Sequence, residues 1–305
     1  MPRPNPIPPL TLILTIPLLL STPAYPQNIK FRFNPPLHKK FIEERTRRVI
    51  TDNGITTSTY QETWRTLLHH EREADNFALI RTVQSITAQQ DNKPVTTPAG
   101  SFYQGITLTY IIDPHGSLLE VHGNDQLLQQ ALQAIPEADR EAFRAENTPQ
   151  KMFTNQKEEW DRRLGYLAGK TLKIGQRIQR QLPLPGLPDV TYTLTLEIQK
   201  AKIQDGRPWI TLITASSTDP DEIETLLEAA KQNQAEEAIL SKKTNAAFVY
   251  RGISQFTLDA NTMLIADDYN YSAYIQATVI GDKTYFRQAR YELDQVKITP
   301  QPDTE

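Results

Sequence analysis

His69, Glu71, Glu73 and Asp75 occupy alternate positions of one segment, with His70 between the first two. An imidazole and three carboxylates on one face of a strand are donor types that suit zinc or another divalent ion. Successive side chains along a strand diverge, however, so a coordination sphere closes only with ligands from other segments. The remaining histidines, His38, His115 and His122, are scattered. Charged residues at a hairpin end also discourage edge-to-edge pairing. On that reading no metal ligand is assigned.

His115 and Asp113 bracket Pro114, and Glu120 lies two residues before His122. Acid–base catalysis needs such groups within hydrogen-bond reach and with shifted pKa values. Turn chemistry accounts for Asp113, Pro114 and Gly116 without it. The chain has no Gly-x-Ser-x-Gly, no Gly-rich phosphate loop and no His-Glu-x-x-His. Asp219, Asp221 and Glu222 have a structural reason at the start of a helix. No catalytic residue and no cofactor is assigned, and the expectation is a protein that is not an enzyme.

Aromatic residues give the best hint of a ligand. Tyr250, Phe256, Tyr269, Tyr271, Tyr274, Tyr285 and Tyr291 gather in the last quarter of the chain. Rings with a polar tip suit the wall of a lipid or glycan site, and they suit cross-strand packing equally. These seven are the candidate ligand-binding residues.

The elements that must position them are mostly strands. Phe41 to Ile50 leads through Asp52-Asn53-Gly54 into a second strand, in which Tyr60, Trp64 and Leu68 share a face. Residues 71–76 form a hairpin tip, Phe77 to Thr87 returns, and a hairpin follows at Gly105-Ile106. Leu127, Leu128, Ala131, Leu132 and Ile135 then keep helical spacing up to Pro136. Another helix begins at Pro136, and Thr148-Pro149 supplies a cap and a first-turn proline for a third, reaching about Gly165. Beyond it, Tyr192, Leu194, Leu196 and Ile198 alternate with Thr193, Thr195 and Glu197, and Asp205-Gly206 marks a hairpin. Asp219-Pro220 opens a helix reaching towards Leu240. Strands are expected at residues 247–258, 262–266, 270–280 and 284–297, with a turn at Gly281-Asp282.

The N-terminus reads as a signal peptide over residues 1–24. Arg3 precedes an apolar run from Leu10 to Leu20, and Thr22 and Ala24 supply the small residues a signal peptidase reads. The run is shorter than the roughly 20 residues a membrane span needs, so no transmembrane anchor is expected after cleavage. The total absence of Cys excludes disulfides, thiol catalysis and a lipid-modified cysteine. Losing Arg3 would make the formal charge one unit more negative than −3, which gives no electrostatic case for nucleic acid.

These readings predict an α+β fold of two antiparallel curved sheets or half-barrels with helices packed on their concave faces. The expected divisions are an N-terminal β unit at 25–123, a helical connector at 124–168, a C-terminal β unit with one long helix at 169–298, and a disordered tail at 299–305. Gly105-Ile106 and Gly252-Ile253 open similar hairpins in the two units, the mark of an internal duplication. In layout the chain is similar to the lipoprotein-carrier and lipid-binding proteins of the bacterial envelope. The functional expectation is a periplasmic or secreted binding or carrier protein for a hydrophobic or amphiphilic ligand such as a lipid. The alternative is a non-catalytic envelope scaffold that engages a protein partner.

Overall fold

The computed structural model describes residues 28–97, 102–184, 187–241, 248–280 and 283–302; the expected signal segment and the Gly281-Asp282 turn lie outside them. After a short strand, β1 (Ile29–Lys30), the first half is a meander of β2 (Lys40–Asp52), β3 (Thr57–Glu73), β4 (Asn76–Gln90), β5 (Lys93–Val95), β6 (Thr107–Ile112) and β7 (Leu118–His122). Its turns follow from side chains that can replace backbone partners. Between β2 and β3, Asp52 Oδ1 accepts from the Gly54 amide at 2.8 Å, and Asn53 Oδ1 accepts from Thr56 N at 2.8 Å.

Helices α1 (Asn124–Ala134), α2 (Arg140–Glu146) and α3 (Pro149–Trp160) follow, and α3 ends in a π-helical turn, Asp161–Gly165. Thr148 caps α3, its hydroxyl accepting from Lys151 N at 3.2 Å with Pro149 next in line. The second half contains β8 (Thr171–Leu172), β9 (Arg177–Leu184), β10 (Leu187–Gln204), β11 (Arg207–Ser217), α4 (Ile223–Lys231), α5 (Ala235–Leu240), β12 (Phe248–Asp259), β13 (Ile265–Ile280) and β14 (Lys283–Pro300). Asp205 and Gly206 both take positive φ, 51° and 71°, the two-residue turn whose twist matches its flanking strands.

Apart from a separate two-stranded pair of β1 and β8, the twelve other described strands form one antiparallel sheet in place of the expected two. Its path runs β7-β6-β4-β3-β2-β14-β13-β12-β11-β10-β9, with β5 beside β4, and it is not closed. The joint is β14, which pairs with β13 on one side and with β2 from Ala289↔Asp52 to Pro300↔Phe41 on the other. That register carries β14 two residues into the expected tail. The strands expected at 262–266 and 270–280 are a single strand, β13. Residues 28–38 are tied into the fold. Ile29, Phe31 and Phe33 are buried, and β1 pairs with β8.

Each face of the sheet has its own apolar core. On the inner face, Phe33, Phe77, Ile112, Ile198, Leu212 and Phe256 form a cluster drawn from both halves, with Phe153, Trp160 and Leu164 of the helical segment packed on it. On the outer face, Ile223, Leu226, Leu227 and Ala230 of α4 and Ile239 of α5 cover Ile213, Ile253, Ile275 and Leu293. The helices therefore sit on opposite faces of the sheet, where the sequence suggested a common side. Each fully buried leucine or isoleucine in these seams contributes roughly 1.5–3 kcal/mol.

Candidate functional site

Strand register places a set of polar and charged side chains in the middle of the inner face. Opposed residues share a face, so Thr214↔Ser254, Ser254↔Asn270, Phe256↔Asp268, Asn270↔Asp294 and Val296↔Arg45 form a continuous floor from β11 to β2. Helix α3 and its π-helical turn lie over this floor and contribute Glu159 and Arg163. The helix is fixed from three directions. Gln156 and Asn124 exchange reciprocal amide hydrogen bonds at 2.9 and 3.0 Å, Lys157 Nζ donates to Leu118 O at 3.2 Å, and Trp160 Nε1 donates to Gly116 O at 2.9 Å. Gly116 has φ +86° and lies so near Ala168 that an added Cβ would sit 2.6 Å from that residue's Cβ. Only glycine lets the hairpin approach this closely.

The guanidinium groups on and around the floor are paired. Arg45 Nε donates to Asp294 Oδ1 at 2.9 Å, Arg81 Nη2 to Glu43 Oε1 at 2.6 Å, and Arg163 to Asp268. Burial works against the charge of Arg45, yet the hydrogen bonds and charge of Asp294 outweigh it and its pKa rises. For Arg81 the charge of Glu43 is the leading cause of the same upward shift. Burial holds the Asp268 carboxyl above the ordinary aspartate range, with Arg163 pulling the other way. These pairs bring together residues 38 to 249 positions apart in the chain.

Three cavities meet around α3. The central one, about 220 Å³, is lined by Arg45, Glu159, Arg163, Tyr192, Ser216, Tyr250, Ser254 and Asp294 among others. An inner chamber of about 110 Å³ has Phe33, Leu68, Leu79, Trp160, Leu164 and Ile298 in its walls, together with His70, Tyr110 and the Glu43–Arg81 pair. An outer chamber of about 310 Å³ is walled by Tyr166, Ile178, Leu182, Tyr192, Leu194 and Leu196, with Glu158, Asp161 and Arg180 also in its lining. Glu159 and Arg163 line both the inner and central spaces, and Tyr192 and Leu194 line both the central and outer ones. A polar centre thus has on each side a chamber whose walls are mostly apolar but carry a few charged side chains. His70 is 5% exposed, and its Nδ1 has no hydrogen-bond partner among the described residues. Burial, helped by neighbouring His69, lowers its pKa to about 4 and keeps the ring neutral.

The sheet divides the aromatic residues singled out in the sequence. Tyr250 and Phe256 line the central cavity. The Tyr274 ring lies 5.0 Å from that of Tyr250 and borders a separate cavity of about 390 Å³ with Leu184, Leu187 and Arg290. Tyr271 and Tyr291 belong to the outer face, packed with the residues under α4 and α5, and Tyr269 is partly exposed on that same face. The side chain of Tyr285 lies outside the described residues. Tyr192, whose ring meets Tyr250 edge-on at 5.1 Å, was not singled out.

The histidine–carboxylate pairs are local. His69 Nε2 lies 3.3 Å from Glu71, and His122 Nε2 lies 3.5 Å from Glu120. Asp113 Oδ1 accepts from Ser117 N at 2.8 Å, closing the turn before β7. Among the described residues no three His, Asp or Glu side chains converge as a metal-ligand set. No role was expected of Arg45, Glu43, Asp268 or Asp294 from the sequence. Their signal was a charge at alternate positions inside strands, as in Glu43-x-Arg45-x-Arg47.

No protein-family model matches the chain, and no curated protein matches it. Solved structures similar to it include a protein from Bacteroides fragilis described as exported and having a YmcC-like fold, 8% identical over 86% of this chain and 96% of that one, with a TM-score of 0.24. A DUF1329 family protein from Desulfovibrio piger is 7% identical over 88% of each chain, with a TM-score of 0.22. A domain from Vibrio parahaemolyticus described as belonging to an outer membrane lipoprotein-sorting protein is 10% identical over 87% of each, with a TM-score of 0.14. Likeness at this level assigns no function to the chain.

Proposed function

We propose that this chain is an exported, non-enzymatic binding or carrier protein for a hydrophobic or amphiphilic ligand held between the sheet and α3. The observation that carries the reading is the sequence of spaces under that helix: a mostly apolar chamber, a polar centre and a second mostly apolar chamber. Ligand sites combine mostly apolar walls with a few placed polar groups, and an amphiphile presents the matching order. A purely structural core would fill these chambers with side chains. A scaffold that worked only through its surface would leave them without a role. The leader-like N-terminal sequence supports a periplasmic or secreted location. An origin by duplication, with each half curving as a unit, belongs to the same proposal and is supported by the antiparallel meander in each half.

The test is saturable binding of a neutral naphthylamine dye to delipidated protein, followed by displacement with single-chain amphiphiles. Leu194→Trp puts bulk where the outer and central cavities meet. It should weaken dye binding about tenfold or more while the far-ultraviolet circular dichroism stays unchanged. Absence of saturable binding by dye and amphiphiles alike would overturn the proposal.

A further inference from the structure

The charges around α3 go further and specify a head group, on the premise that the amphiphile reading holds. Each arginine lining the inner and central cavities already has a carboxylate: Arg45 has Asp294, Arg81 has Glu43 and Arg163 has Asp268. An anionic head group would have to open one of these partly buried pairs, leaving a carboxylate desolvated and unpaired. Glu159 differs. It stands on the last turn of α3 where the inner and central cavities join, and it makes no hydrogen bond or ion pair among the described residues. Its field nevertheless reaches the floor, acting on Arg45, Arg81 and Arg163.

A second, independent feature lies in the inner chamber. The imidazole of His70, buried to 5% exposure, has a ring nitrogen that no described group engages. Unsatisfied buried polar atoms are rare enough to call for a partner. The indole of Trp160 lines the same space, and the Tyr192 and Tyr250 rings wall the central one. Aromatic faces attract a cation through the ring quadrupole.

We propose that the junction at Glu159 is a subsite for a protonated amine, so that the preferred ligand is a single-chain alkylammonium with its tail in the outer chamber. An ammonium brings three donors and a positive charge. It answers the unpaired carboxylate and the aromatic walls beside the neutral imidazole, and leaves the three arginine pairs intact. A neutral hydroxyl satisfies hydrogen bonding without balancing Glu159, and a quaternary ammonium balances the charge without donating.

Isothermal titration of the signal-free chain with four probes of equal tail length, below their micelle concentrations, tests this. The probes are dodecylamine, dodecyltrimethylammonium, dodecanol and dodecanoate. Dodecylamine should bind about tenfold more tightly than dodecanol, the quaternary probe should lie between them, and dodecanoate should bind most weakly. Glu159→Gln should remove the preference for the amine and leave dodecanol unchanged, and Glu159→Lys should shift the preference towards dodecanoate. Glu159 is exposed and unpaired, so neither change threatens folding. Dodecanoate binding as tightly as dodecylamine, or an amine preference that survives both substitutions, overturns the head-group assignment while the amphiphile reading stands. Failure of all four probes to bind removes both.

Discussion

His70 is on the inner face of β3, where the cost of charging a buried ring can be read as stability. Its folded pKa, about 4, lies below the ordinary histidine value near 6.5. Between those values the unfolded chain binds the proton more readily, so stability rises with pH through that window and falls as pH drops from about 6.5 to 4. At the acid end the loss from this group is about 3 kcal/mol. His70→Leu cannot titrate, so its urea midpoint should change less than the wild type's between pH 7 and pH 4.5. Equal losses in the two proteins would place the acid sensitivity elsewhere. The neighbouring residues show why the centre of the site could not be read from sequence. Arg45 meets Asp294 across 249 positions, and nothing within either segment names its partner. Ile29, Phe31 and Phe33 alternate as a buried strand does, yet no strand was expected ahead of Pro35 and Pro36.

Among the elements, α3 borders the inner, central and outer cavities and is held by side-chain bonds to three other segments. Its cap at Thr148 and its proline at the first helical position were readable from residue types, because capping is local chemistry. Its seat on the sheet was not readable, since the contacts to Asn124, Leu118 and Gly116 come from other elements. Trp160→Phe keeps the ring against Phe33 and deletes the bond to Gly116 O, at a cost of about 1 kcal/mol. Hydrogen exchange of α3 amides should then speed up several-fold, while β12 and β13 keep their protection. Unchanged exchange in α3 would show that the indole N–H does not anchor the helix. Strand β13 shows the opposite limit of local reading. Asp267, Asp268 and Asn270 resemble a turn, and the sequence reading broke the strand there. Asp268 instead pairs with Arg163 of the π-helical turn, and the strand runs on through it.

At the scale of the whole molecule, the two halves share both a sheet and a core. Strand β14 pairs with β2 from Ala289 to Pro300, and the inner cluster mixes Phe33, Phe77 and Ile112 with Ile198, Leu212 and Phe256. Antiparallel meanders were legible because their pairings are consecutive and their faces alternate. The joint between β14 and β2 was not, because no turn connects them. The chain should therefore unfold in one cooperative step, with a calorimetric enthalpy matching the van't Hoff value. Two resolved transitions, or an N-terminal half that folds when expressed alone, would contradict a shared core.

The pairing of β2 with β14 also sets an order of events during synthesis. Strand β2 leaves the ribosome early with only β3 beside it, and its other edge waits for a partner made almost 250 residues later. Until the last strand arrives, the open edge is a place where foreign strands can add. A chain cut short before residue 289 would keep that edge, and aggregation should be its fate.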